Sequence, residues 1–262
     1  MPTRTTPTCS DPRDRARRLG LWGLDSQWAQ WGPQPWVLPL LECEEAQRHQ
    51  RSLQRRIHSA ALGSFTPLSA FDWSWPRRID RTQVEEVLTL GFLKDGENIL
   101  LLGPNGVGKT MISKNLAYQA LLLGHTVLFT TASAMLSDLG SRDTAWARQQ
   151  RLRRYVRPEL LIIDEVGYLS YDNRHADLLF EVITHRYERP ATSTVVTTNK
   201  PFTQWNEVFP NAACVVTLID RLTHRSEVVQ IEAESFRLKE AKQRAAEKAT
   251  RRRAPRAPKS AP

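Results

Sequence analysis

Ile99-Leu-Leu-Leu-Gly103-Pro104-Asn105-Gly106-Val107-Gly108-Lys109-Thr110 decides the fold. The apolar run Ile99–Leu102, bounded by Asp95-Gly96 and Gly103, predicts a short buried strand, and Met111 to Leu123 predicts a helix stopped by Gly124. Between them Gly103–Thr110 fits G-x-x-x-x-G-K-[ST] in full. Glycines let such a loop turn with its backbone N–H groups inward, and the helix N-terminus adds its positive dipole end. The spacing makes Gly103, Pro104, Asn105, Gly106, Val107, Gly108, Lys109 and Thr110 the cradle for the phosphates of ATP. Lys109 is placed to reach the β- and γ-phosphates, and the Thr110 hydroxyl to ligate Mg²⁺.

Downstream, Leu160-Leu-Ile-Ile-Asp164-Glu165 is an apolar strand that ends in two carboxylates. Beside a phosphate loop, Asp164 is suited to hold Mg²⁺ through water and Glu165 to orient and deprotonate the attacking water. Val195-Val-Thr-Thr-Asn199 ends in an amide that can bond the same water or the γ-phosphate, although Asn before Lys200-Pro201 also suits a plain turn. Further apolar runs at 126–131 and 228–231, with helical patterns at 144–156 and 174–187, predict a parallel sheet covered by helices on both faces.

The flanks read differently. Residues 1–20 are rich in Pro, Thr and Arg and are expected to be disordered. Residues 21–66 predict a small helical region in which Trp22, Trp28, Trp31 and Trp36 hide against something. An amphipathic helix is expected over Glu42 to Leu62, and a domain boundary near residue 66. The ATPase domain is assigned to 67–249, closing with a helix over 234–249, and 250–262 to a basic disordered tail.

The net charge of +9 favours a polyanionic partner such as DNA, and the segment Arg237–Pro262 contributes most of it. Cys9, Cys43 and Cys214 are too scattered for a disulfide framework or a zinc site. With no apolar run of about 18–20 residues and no signal-peptide core, the chain reads as cytoplasmic and without a membrane partner.

Several segments together resemble the IstB-like family, ATP-dependent helpers of insertion-sequence transposition and AAA+ ATPases similar to DnaC helicase loaders. They are Gly103–Thr110, Leu161-Ile-Ile-Asp-Glu-Val-Gly-Tyr168, Arg186-Tyr-Glu188, Thr197-Thr-Asn-Lys-Pro-Phe202, Asp220-Arg-Leu-Thr-His224 and Ser235-Phe-Arg-Leu-Lys239. The resemblance implies a P-loop AAA+ fold with no separate C-terminal lid. It makes Asn199 the sensor-1 residue, Arg221 the arginine finger inserted into a neighbour's ATP site, and Arg237 the sensor-2 arginine on the γ-phosphate. Without it, Arg221 and Arg225 are not distinguishable. It also implies a homo-oligomer with ATP sites at subunit interfaces, and a cognate transposase as partner. Asn105, Ala233 and Phe236 depart from the family's usual Pro, Gly and Tyr.

Two functions of different class follow from these features. One is an ATPase that assembles on DNA and presents a target site to a transposase. The other is a DnaC-like loader that grips a replicative helicase through its N-terminal region. In that region Arg17-Arg-Leu-Gly-Leu-Trp-Gly-Leu24, together with Phe71-Asp-Trp-Ser-Trp75, looks more like the transposition helpers and favours the first.

Overall fold

A computed structural model of the chain describes residues 11–142, 144–168, 172–209, 213–233 and 236. These fall into two compact units, one ending at Arg56 and the other starting at Ile57. The expected helix over 234–249, the tail over 250–262 and Arg237 lie outside the described residues.

In the first unit α1 (Pro12–Arg18), α2 (Trp22–Ser26), α3 (Trp28–Trp31) and most of α4 (Val37–Ser59) gather around Ala16, Leu19, Val37 and Leu41. Helix α1 falls in the stretch whose composition suggests disorder. Local chemistry explains it: Asp11 accepts from the Arg13 N–H as an N-cap, and Pro12 occupies the first turn, where its missing N–H costs nothing. Arg13 and Arg17 then converge on Asp25, and Arg15 pairs with Glu45. Helix α4 begins at Val37 rather than Glu42 because Pro39 sits in its first turn, where proline is tolerated. The tryptophans are not all hidden. Trp28 packs on this core, whereas Trp22 and Trp36 stay exposed.

The second unit takes in the last turn of α4 and a single 3-10 turn at Leu68–Ala70, continues with α5 (Arg81–Leu88) and α6 (Phe92–Asp95), then builds a parallel sheet. Its strands are β1 (Asn98–Leu102), β2 (Val127–Thr131), β3 (Leu160–Val166), β4 (Ser193–Thr198) and β5 (Ser226–Gln230), in the order β2-β3-β4-β1-β5. Strands β1, β3 and β4 are buried almost throughout because both sheet faces are covered, which leaves no polar face to alternate with. The covering helices are α7 (Lys109–Leu122), α8 (Ala132–Gly140), α9 (Ala145–Val156), α10 (Asn173–Tyr187), α11 (Trp205–Val208) and α12 (Val215–Thr223).

Helix α8 follows β2 with no glycine or proline between them, so no break is visible in the sequence. Thr131 ends the strand and caps the helix, accepting from the Ala134 N–H at 3.2 Å. Helix α12 buries Val215, Leu218 and Leu222 at helical spacing against the core that α8, α9 and α10 share.

The edge where the strands begin is closed by one side chain. Arg186 is 3% exposed, and its guanidinium donates to Thr194 Oγ1 and to the carbonyls of Tyr155, Val156, Pro158, Glu159 and Ser193. Burial pulls its pKa down to about 9, yet these acceptors keep it charged at neutral pH. The Arg186-Tyr-Glu188 segment is therefore a structural tie between α9, α10 and the starts of β3 and β4.

Candidate nucleotide site

The opposite edge, where the strands end, is built from tight glycine turns. After β1 the chain turns through Gly106 at φ 78° and Gly108 at φ 101° before entering α7. Substitution is blocked twice over: a Cβ on Gly103 would lie 2.4 Å from the Ile231 carbonyl oxygen, and one on Gly108 2.5 Å from the Phe71 ring. The Lys109 ammonium is buried and donates to the carbonyls of Gly103 and Pro104 at 2.6 and 2.7 Å. Loop amides, helix N-terminus and ammonium thus share one end of the sheet, as the motif predicts.

Asp164 reaches the same place from β3. Its Oδ2 accepts from the Thr110 hydroxyl at 2.9 Å and its Oδ1 from the Thr197 hydroxyl at 2.5 Å, with the residue 2% exposed. Between Ile163 and Val166 the register against β4 shifts, and Glu165 sits at φ 64°, a left-handed conformation that costs a non-glycine residue energy. Thr197 also accepts from the Glu165 N–H at 2.9 Å. One buried hydroxyl on β4 therefore fixes both the carboxylate of Asp164 and the backbone of Glu165. Sequence reasoning assigns Thr197 no role, since in a run of Val195-Val-Thr-Thr it reads as an ordinary β-branched strand residue.

Asn199 follows β4 at this edge. Thr198 Oγ1 bonds the Lys200 N–H and carbonyl, and the Trp205 indole donates to the same carbonyl, so the turn is pinned. The Asn199 Oδ1 is buried with no hydrogen-bond partner among the described residues, and Gly167 lies so close that a Cβ there would come to 3.4 Å from it. A buried acceptor left open at the strand-end edge that also carries Asp164 and Glu165 suits a bound donor such as water.

In the sequence Phe71-Asp-Trp-Ser-Trp75 reads as part of a linker. In the structure it lines a cavity of about 80 Å³ with Gly106, Val107 and Met111. Phe236 closes it, donating its N–H to the Gly106 carbonyl at 3.1 Å and meeting Trp75 edge-on at 5.9 Å. The signal that points to it is three aromatic rings within a short stretch ahead of the motif.

Arg221 is not brought to this edge. It lies on α12 beside a cavity of about 290 Å³ at the strand-start edge, shared with Asp95, Asn98, Tyr187, Arg189 and Arg225. Its guanidinium donates to the Thr184 hydroxyl and lies over the rings of Phe180 at 5.0 Å and Tyr187 at 5.9 Å. The five-residue β1 separates the two edges by about 16 Å. Arg221 is therefore remote from the glycine loop of its own subunit. Arg225 lines the same cavity, and its carbonyl accepts from the Asn98 N–H at the start of β1.

A glycine loop after β1, with hydroxyl, carboxylates and amide gathered at the ends of β3 and β4, defines a P-loop ATP-binding protein of the AAA+ class. Residues 25–245 match the model of the IstB-like ATP-binding proteins, and the chain belongs to that family. It is 36% identical over 201 residues to an ATP-binding protein of insertion sequence IS5376 from Geobacillus stearothermophilus, covering 77% of this chain and 79% of the relative. Identity is also 36% over 193 residues to the corresponding protein of insertion sequence IS21 from Pseudomonas aeruginosa, covering 74% and 72%.

Among solved structures the fold is similar to AMPPCP-bound DnaA from Aquifex aeolicus, with a TM-score of 0.54 and 21% identity over 71% of this chain and 56% of that one. It is also similar to DnaI, with a TM-score of 0.51 and 17% identity over 66% and 90%. Among the described residues no helix is long and apolar enough to cross a membrane.

Proposed function

We propose that this protein hydrolyses ATP with Mg²⁺, assembles on DNA as a homo-oligomer, and assists the transposase of its insertion sequence in selecting a target site. The observation that carries the reading is the convergence of Lys109, Thr110, Asp164 and Glu165 on one edge of the sheet, with Thr110 bonded to Asp164 and Thr197 joining Asp164 to the Glu165 backbone. The names of the relatives supply the insertion-sequence context.

Residues 103–110 wrap the phosphates, and Phe71, Trp75 and Phe236 offer the aromatic wall beside the loop for the base. Thr110 and Asp164 would hold Mg²⁺, which would supply charge neutralisation on the β- and γ-phosphates. Glu165 takes the proton of the attacking water, while Asn199 offers that water its open acceptor. The water oxygen bonds to the γ-phosphorus as the bond to the β–γ bridging oxygen breaks. Arg221, remote from its own loop, acts on the ATP of a neighbouring subunit, and Arg237 on the γ-phosphate completes the set. ATP then holds subunits together, and its loss releases them.

The test uses Glu165→Gln, whose amide can hold water but cannot accept its proton. It should bind ATP, turn over slower by on the order of 10²–10⁴-fold, and leave DNA-bound assemblies that persist and retain the transposase. Unchanged turnover would mean that another group is the base. Wild-type protein whose DNA binding ignores ATP would overturn the reading as a whole.

A further inference from the structure

The solvent face of α9 and its C-cap carries Trp146, Gln149, Gln150, Arg153, Arg154 and Arg157, at i, i+3, i+4, i+7, i+8 and i+11, which is one stripe of a helix. All six are exposed, Trp146 by 74%, whereas Leu152 and Tyr155 on the other face are buried. Helix α9 contains no acidic residue. Among the described residues the neighbouring carboxylates Asp138 and Glu159 are engaged elsewhere: Asp138 accepts from Arg142, Arg151 and Tyr155, and Glu159 binds His125 and the Thr126 N–H. Burial would raise the Asp138 pKa, but those three donors outweigh it and hold the carboxylate down at about 2, so it stays charged and occupied.

Arg153, Arg154 and Arg157 form no ion pair among the described residues. They line one side of a groove of about 730 Å³, whose other side is His58, Ala61 and the start of β2 at Thr126. The stripe runs about 16 Å along the helix, roughly the rise of five base pairs. A cationic row with an exposed indole and two amides at its end matches a ligand that offers both phosphates and aromatic faces. Nucleic acid offers both, while an acidic protein surface offers only the charge. The groove opens at the strand-start edge, so a strand lying there leaves the glycine loop free for ATP.

We propose that the α9 face and this groove are the DNA-binding surface, with Arg153, Arg154 and Arg157 on backbone phosphates and Trp146 stacked on an exposed base. The proposal rests on the DNA-binding reading above and names its surface, for which composition alone points instead to the basic segment from Arg237 onward.

The experiment measures binding of full-length protein, with AMPPCP, to fluorescent duplex and single-stranded DNA across a salt series. Four proteins are compared: wild type, Arg153→Gln/Arg154→Gln/Arg157→Gln, Trp146→Ala, and a chain lacking residues 250–262. The triple variant should bind duplex more weakly by about an order of magnitude or more, with a salt slope smaller by about 2–3, since each phosphate contact contributes about 0.9. Its nucleotide affinity and melting temperature should match wild type. Trp146→Ala should weaken single-strand binding and leave the salt slope intact, because stacking releases no counterions. A triple variant with wild-type affinity and slope overturns the α9 surface while wild-type binding keeps the DNA reading alive. A slope lowered only by the tail deletion does the same. Wild type that binds no DNA at low salt overturns both.

Discussion

The two edges of one parallel sheet are built on opposite principles. Where the strands end, Gly106, Gly108 and Gly167 take left-handed turns open to glycine, Glu165 is held at a costly positive φ, and Asn199 Oδ1 has no hydrogen-bond partner among the described residues. Where they begin, Arg186 satisfies one carbonyl after another, and among the described residues Ser193 Oγ is the buried polar atom left without a partner there. The difference teaches which edge is poised to gain bonds from a ligand and which already holds its own. Arg221 breaks the division. It sits on the quiet edge, cradled by Phe180, Tyr187 and Thr184, yet its proposed task belongs to the reactive one.

The largest effect should come from the reactive edge. Lys109→Ala removes the buried ammonium from the loop and should abolish ATP binding, as read by a fluorescent nucleotide, without unfolding the protein. Wild-type affinity would break the comparison at its foundation.

Thr197→Val keeps the shape and burial of the side chain but removes the hydroxyl that serves Asp164 and Glu165. Turnover should fall by roughly 10–100-fold, as misplacement of catalytic groups by fractions of an ångström can cause, while the KM for ATP changes little. Thr197→Ser should restore most of the rate. If Val and Ser behave alike, the hydroxyl positions nothing.

On the other edge the effect should be on stability alone. Arg186→Met strands several buried carbonyls and should cost about 3 kcal/mol in urea unfolding, leaving catalysis by the folded fraction close to wild type. A large kcat defect at full folding would show that the edges are not separate in function.

The legible part of the molecule was the part that repeats a local rule. Apolar runs placed β1, β3 and β4, and the glycine loop placed the phosphate end of the sheet, because both signals are contiguous in sequence. Helix α8 was hidden since Thr131 serves as strand end and helix cap without a break. Helix α1 was hidden since its stability comes from Asp11, Asp25 and Glu45 rather than from apolar content.

Thr197 could not be singled out because its task depends on β4 lying next to β3, a long-range pairing that a strand's own residues do not encode. The same holds for Phe71, which meets Gly108 from a distant part of the chain. Arg221 became a candidate through family resemblance, and its sequence neighbourhood alone offered Arg225 equally.

The central claim is that the two edges meet between subunits, with Arg221 of one chain completing the ATP site of the next. The direct measurement mixes Lys109→Ala, which keeps its finger but lacks a working loop, with Arg221→Ala, which binds ATP but offers no finger. Each alone should be nearly inactive, since a finger contributes on the order of 10³–10⁵ in rate. Mixed assemblies should recover a measurable fraction of wild-type ATPase activity, because some interfaces pair an intact loop with an intact arginine. Full turnover by Arg221→Ala alone, or a mixture as inactive as its parts when mixed assemblies demonstrably form, would contradict the account.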